Sequence, residues 1–134
     1  SWDGASFHDA DLVFSAHCNR VSVRDGHTQT VSLELRETPT VDEVMEAMRS
    51  FRGRPQELCL PTAPEHPVVV RTERDRPQPV RDRDTGRGMS VVVGRVRTDP
   101  VLGYKYVVLG HNTIRGAAGA SVLNAELLAA EGRI

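Results

Sequence analysis

Long apolar runs are missing from this chain. No stretch approaches the roughly 20 consecutive apolar residues that a membrane-spanning helix needs, so a helical membrane protein is excluded. Charge of one sign is missing too: the formal net charge is −1, and a nucleic-acid-binding domain would as a rule be clearly basic. Cysteine is scarce. Cys18 and Cys59 are the only two, which does not indicate a disulfide scaffold and favours the cytoplasm as compartment. Both sit in apolar, strand-like contexts and are expected as buried free thiols. No signal-peptide pattern opens the chain. No glycine-rich loop of the dinucleotide-binding type joins a strand to a helix. No Cys/His spacing fits a zinc site, and His8, His17, His66 and His111 are scattered, so no metal site is expected. There is no internal repeat.

What is present is an ordinary globular composition. The 134 residues are 39% hydrophobic and 26% charged, which suits one domain with a modest core. Residues 12–20 read as a strand, with Leu12, Phe14, Ala16 and Cys18 on one side. Asp25-Gly26 is a turn signal, because glycine tolerates positive φ. Residues 28–36 alternate, with Val31, Leu33 and Leu35 facing in. The two strands suggest a hairpin around residues 21–27.

Thr40-Val41-Asp42-Glu43 is a capping box opening a helix that runs to about Phe51. Val41, Val44, Met45, Met48 and Phe51 form its apolar stripe, and Gly53 stops it. Residues 53–67 hold four prolines and read as an extended, non-helical connector. Val68-Val69-Val70 is a short buried strand. Residues 71–88 mix Arg and Asp with prolines and glycines; length and charge favour a mobile surface loop over an arm laid on a partner. Residues 89–97 form a strong strand in which Gly94 marks a bulge or a close approach. Residues 104–111 form another. A final helix, capped by Asn112 or Thr113, runs to about Ala130. One of its faces carries Ile114, Ala118, Val122, Ala125 and Ala129; another carries Leu123, Leu127 and Ala130. Small residues at 116–120 keep its start slim. The order β-β-α-β-β-β-α predicts an α+β fold, a mixed and largely antiparallel sheet with helices on one face.

Chemistry gathers at Cys18 to His27. Arg20 can grip a carboxylate with a bidentate fork, and His27 can move a proton near neutral pH. Spacing alone leaves a surface arginine and a turn histidine as the simpler account. Cys18 shares its side with Phe14 and Ala16, so inert core is preferred to a nucleophile activated by His27. Gly110-His111-Asn112, at a strand-to-helix junction, is a polar rim whose backbone N–H groups can receive an anion or an amide.

Several segments resemble the second half of the aspartate-semialdehyde dehydrogenases, in that family's order and across nearly the whole chain. They are Cys18-Asn19-Arg20-Val21 through Gly26-His27, Leu60-Pro61-Thr62-Ala63-Pro64, Asp75-Arg76-Pro77-Gln78-Pro79, Gly88 to Arg95, and Leu109 to Ala120. The wording is most similar to the archaeal and fungal branch.

The resemblance implies a C-terminal domain like that of glyceraldehyde-3-phosphate dehydrogenase. It also implies reductive dephosphorylation of β-aspartyl phosphate to aspartate semialdehyde with NADP, through a cysteine thioester, on the route to Lys, Met, Thr and Ile. Arg20 matches the arginine for the substrate carboxylate, His27 the catalytic acid/base, and Asn112 the amide at the nicotinamide end of the cofactor. A homodimer or tetramer is implied. The nucleophilic cysteine, the dinucleotide fingerprint and the phosphate-binding lysine lie upstream in the family and have no match here. The chain, which begins Ser1-Trp2, is therefore expected to be a C-terminal portion, inactive alone. Residues 1–111 are expected as the catalytic and dimerisation domain, and 112–134 as a helix packing on the missing N-terminal cofactor domain, with one face bare. The competing readings are a non-catalytic association module and, ranked lower, a related acyl-phosphate reductase.

Overall fold

The expected hairpin forms in the computed structural model, which describes residues 3–9 and 12–134. Residues 1–2 and 10–11, part of the first expected domain, lie outside the described residues. Strand β1 (Phe14–Asn19) pairs antiparallel with β2 (His27–Leu33), in a register that sets Asn19 opposite Thr28. Gly26, at φ 118°, makes the turn that a side chain would strain.

Helix α1 (Val41–Ser50) begins at the capping box read from the sequence. Glu43 N–H donates to Thr40 Oγ1 at 3.2 Å, and Thr40 N–H donates to Glu43 Oε2 at 2.7 Å. Each bond satisfies a donor that the helix ladder leaves open. The helix stops one residue short of Phe51, which lies half exposed beyond it.

The connector after Gly53 is not extended throughout. A single turn, α2 (Arg54–Glu57), forms there with Pro55 in its first turn. Proline is compatible with that position, since its missing N–H has no partner to lose. Strand β3 (Val68–Arg71) follows, then the short α3 (Pro79–Asp82), a 3₁₀ turn at Thr85–Gly88, β4 (Val91–Asp99) and β5 (Gly103–Gly110). A π-type turn at Ile114–Ala118 leads into α4 (Gly119–Ala130).

The five strands form one mixed sheet in the order β1-β2-β5-β4-β3. Only the β3–β4 pair is parallel, so the α+β architecture expected from the sequence is present. Val92 and Leu109 face each other across β4 and β5 and are essentially fully buried; each contributes about 1.5–3 kcal/mol. Helix α1 lies over the Leu33 and Val68 side of the sheet, where Tyr104 Oη donates to the Pro39 carbonyl.

Gly94 shows both expected behaviours. The β4–β5 register slips between Gly94 and Arg97, and a Cβ on Gly94 would stand 2.5 Å from the Arg76 carbonyl oxygen.

Residues 71–88 are not a loose loop. Asp82 is completely buried and binds Arg71, Arg76 and the Gln78 N–H. The segment's apolar content is small, but a carboxylate paired with two guanidiniums organises it.

A hydrophobic core lies where α4 meets the 58–63 segment. Leu60, Met89 and Leu123 are buried together, with Leu58, Ala63, Ile114 and Leu127 against them. The slim start of this helical region serves a side chain: a Cβ on Gly119 would stand 2.4 Å from Met89 Sδ. Of the face expected to carry Ile114, Ala118, Val122, Ala125 and Ala129, Ile114 instead packs on this core, while Ala118, just before α4, and Val122, Ala125 and Ala129 remain exposed.

Candidate functional site

The β1–β2 register explains why a seven-residue spacing can make a site. Asn19 pairs with Thr28; one step beyond that pair stand Arg20 and His27, at the looped end of the hairpin. The Val21–Gly26 segment folds over between them, with the Val23 N–H donating to the Val21 carbonyl at 2.9 Å. Arg20, His27 and Asn112 line one cleft of about 550 Å³, together with Cys18, Val23 and Asp25. The sequence places Asn112 85 positions from His27. The β2–β5 ladder brings them together by pairing His27 with Gly110.

Two side chains clasp the turn to the start of the C-terminal segment. Asn112 Oδ1 accepts from the Gly26 N–H at 2.8 Å, and Thr113 Oγ1 donates to Asp25 Oδ1 at 3.3 Å. The first bond fixes the orientation of the Asn112 amide, oxygen toward the turn. Arg20, His27 and Asn112 are all exposed at the cleft.

A second cleft, of about 380 Å³, opens on the other side of the same wall. His27 and Asn112 line it too, with Gln29, Val108, Gly110 and Arg115. His27 thus stands between a cleft with Arg20 and a cleft with Arg115, each bearing a guanidinium for an anionic group.

Two expectations are corrected here. Cys18 is exposed and lines the first cleft. It was expected in a core because of its apolar neighbours, yet β1 is an edge strand and Phe14 on the same side is 62% exposed. Cys59 is also exposed, at φ 51° just beyond α2.

Beyond the polar rim at 110–112, the N–H groups of Thr113 and Ile114 at the helical start are already taken. His111, only 7% exposed, accepts there through Nδ1 from Thr113 N–H and Ile114 N–H, both at 3.2 Å. The imidazole is the cap that the sequence reading gave to Asn112 or Thr113. The available signal was a histidine three residues before the helical turn. Both bonds need an unprotonated Nδ1, so the ring proton of the neutral form lies on Nε2.

Among the described residues no three His, Cys, Asp or Glu side chains converge as a metal ion would require. Among the same residues no helix is long and apolar enough to cross a membrane.

Residues 3–115 match the family described as semialdehyde dehydrogenase, dimerisation domain. The chain belongs to this family. The semialdehyde dehydrogenase dimerisation domain seen here is 58% identical over 121 residues to the aspartate-semialdehyde dehydrogenase of Methanothermobacter thermautotrophicus, covering 89% of this chain and 35% of that protein. To the enzyme of the same name from Archaeoglobus fulgidus it is 52% identical, covering 97% of this chain and 37% of that protein. A malonyl CoA reductase (NADP) from Metallosphaera sedula is 45% identical over 92% of this chain and 35% of its own length. Among solved structures, that of aspartate semialdehyde dehydrogenase with NADP from Candida albicans superposes with a TM-score of 0.77 at 46% identity, over 86% of this chain and 33% of that one. The dimerisation domain therefore spans about a third of the length of these relatives.

Proposed function

We propose that this chain is the catalytic and dimerisation portion of an NADP-dependent aspartate-semialdehyde dehydrogenase. In this reading the whole enzyme reduces β-aspartyl phosphate to the semialdehyde, for synthesis of Lys, Met, Thr and Ile. The observation that carries the reading is the convergence of Arg20, His27 and Asn112 on one cleft, in a chain 58% identical to an enzyme of that name.

Each residue has a task its chemistry suits. Arg20 holds the substrate carboxylate with its planar fork. His27, next to it on the hairpin, takes the proton of the attacking thiol and returns it to the leaving phosphate side, so that thioester formation proceeds without a free strong base. The nucleophilic cysteine and the dinucleotide fold are supplied from outside these residues. Asn112 fits the cofactor at one end only: its amide is held at the cleft wall by the Gly26 N–H, a suitable contact for a carboxamide. NADPH, when bound, supplies the hydride that reduces the thioester. The bare α4 face, Ala118, Val122, Ala125 and Ala129, is where we place the contact with the cofactor domain, and the sheet is where we place the homodimer.

The test supplies the upstream two-thirds of the Methanothermobacter relative, fused to this chain or added in trans. NADPH-dependent reduction of β-aspartyl phosphate with release of phosphate is expected, and in reverse an oxidation that requires NADP and phosphate. His27→Ala should lower kcat by roughly 10²–10⁴-fold, and Arg20→Ala should raise KM for the acyl substrate. Malonyl-CoA, which also carries a carboxylate, is assayed in parallel; preference for it would move the substrate assignment. An assembly that dimerises but shows no turnover would favour the association module. Turnover by the chain alone would refute its dependence on upstream sequence.

A further inference from the structure

The Asp75-Arg76-Pro77-Gln78-Pro79 segment and the buried carboxylate of Asp82 have no part in the chemistry above. They nevertheless lie directly beneath it. Pro79 opens α3 and packs under the turn that carries His27: a Cβ on Gly26 would stand 2.9 Å from Pro79 Cβ and 3.3 Å from Leu109 Cδ1. Three residues on, Asp82 is wholly buried. Its Oδ2 accepts from Arg76 Nε at 2.6 Å and from Gln78 N–H at 2.7 Å. Its Oδ1 accepts from Arg71 Nε at 3.2 Å and from Arg76 Nη2. Arg71 ends β3, and the Arg76 carbonyl lies against Gly94 of β4. One carboxylate thus fastens residues 76–79 to two strands and holds Pro79 against Gly26. Gly26 in turn donates to Asn112, and His27 is the next residue.

We propose that Asp82 is a positioning residue for the site, acting through Pro79 on the Gly26 turn and so on His27 and Asn112. A carboxylate is suited to this because it accepts four hydrogen bonds at once and orders both a guanidinium and a backbone turn. The segment is rigid for that reason, and the turn resting on it inherits the rigidity. The part of the inference that concerns catalysis rests on the function proposed above; the mechanical coupling does not.

The test has two arms. In the first, amide hydrogen exchange and ¹⁵N-resolved spectra are recorded on this chain for wild type, Asp82→Asn and Pro79→Gly. The Gly26 N–H should exchange roughly tenfold faster or more in both variants, and the Asn112 side-chain amide resonances should move. Thr30 and Val107, in the middle of the β2–β5 ladder, should stay unchanged. Pro79→Gly removes the Cβ that lies nearest the turn, at a half-buried surface position, so it reports even if Asp82→Asn fails to fold. Unchanged Gly26 and Asn112 signals in a folded variant overturn the proposal.

The second arm uses the assembled enzyme. Asp82→Asn should lower kcat by roughly tenfold and raise KM for NADPH through the loosened Asn112 amide. Tyr104→Phe, which loses the bond to Pro39 far from the cleft, should lower the melting temperature without that loss of kcat. Equal loss of kcat in both variants reduces Asp82 to a stability role and overturns the assignment. If the wild-type assembly has no turnover, the functional reading fails, and the exchange arm still decides the coupling.

Discussion

The two edges of the sheet treat their side chains in opposite ways. At one edge, β1 and its flanks carry Leu12, Val13, Phe14, Val21 and Val23, all of them solvent-exposed. At the other, the stretch after β3 is dominated by Arg and Asp, and it contains the fully buried Asp82. Hydropathy alone would assign the opposite fates. The difference lies in partners. Strand β1 pairs only with β2. The charged segment brings its own counter-ions, folds over β4 where Gly94 leaves room, and seals a carboxylate between two guanidiniums. Burial follows from what can be satisfied at a place, and an apolar residue with nothing opposite it stays in water.

That comparison is best broken at Asp82. Replacing it with alanine strands Arg76 and the Gln78 N–H, and should destabilise the chain by about 3–5 kcal/mol, read from urea or thermal unfolding. A loss below about 1 kcal/mol would mean that the segment is ordered by something else. Next in size is Gly94→Ala. Its new methyl group meets a backbone carbonyl rather than a flexible side chain, so a loss of about 1–3 kcal/mol is expected. Gly110→Ala, which meets nothing within 4 Å, should stay within about 0.5 kcal/mol of wild type in the same assay.

Acid sharpens the same contrast. Burial by itself would push the Asp82 carboxyl up; Arg76, the Gln78 N–H and Arg71 outweigh it and hold the group below its ordinary value of 3.8. A carboxyl depressed in the folded state stabilises fully above that ordinary value and loses its contribution as pH falls through the folded one. The gap in melting temperature between wild type and Asp82→Asn should therefore persist at neutral pH and narrow below about pH 4. A gap that is flat with pH would remove the charge from the explanation. The smallest effect belongs to the other edge. Phe14→Ser should change stability by no more than about 0.5 kcal/mol in this chain. A loss above 2 kcal/mol would show that β1 has a partner surface within the chain.

Local signals carried much of the fold. The capping box at Thr40 and Glu43 and the Asp25-Gly26 turn each act over a few residues, and each formed as expected; the alternation found β2, but the strand ends at Leu33 and Leu35, expected to face in, is exposed. Gly94 was legible because a glycine inside a strong strand has few reasons to be there. Pro55 misled, because proline forbids a helix interior but suits a first turn. Residues 71–88 misled more, because a charge run reads as solvated until the pairing of its members is known, and Arg71 meets Asp82 only after the strand and the turn have formed.

The candidate site divides the same way. Arg20 and His27 were visible together because a hairpin turns sequence spacing into neighbourhood. That Asn112 joins them required the β2–β5 ladder, a contact between residues far apart in the chain. Cys18 was misjudged because the sequence shows a residue's neighbours along its strand and not what covers it. The sequence by itself determined the strands and the two longer helices, their order and the chemical character of each cleft residue, since those depend on short-range propensity and side-chain type. Only the tertiary structure decided which charges are buried, which apolar faces are bare, and that His111 rather than Asn112 caps the last helical segment. Those outcomes depend on which groups meet across the sheet, and that is set by long-range pairing.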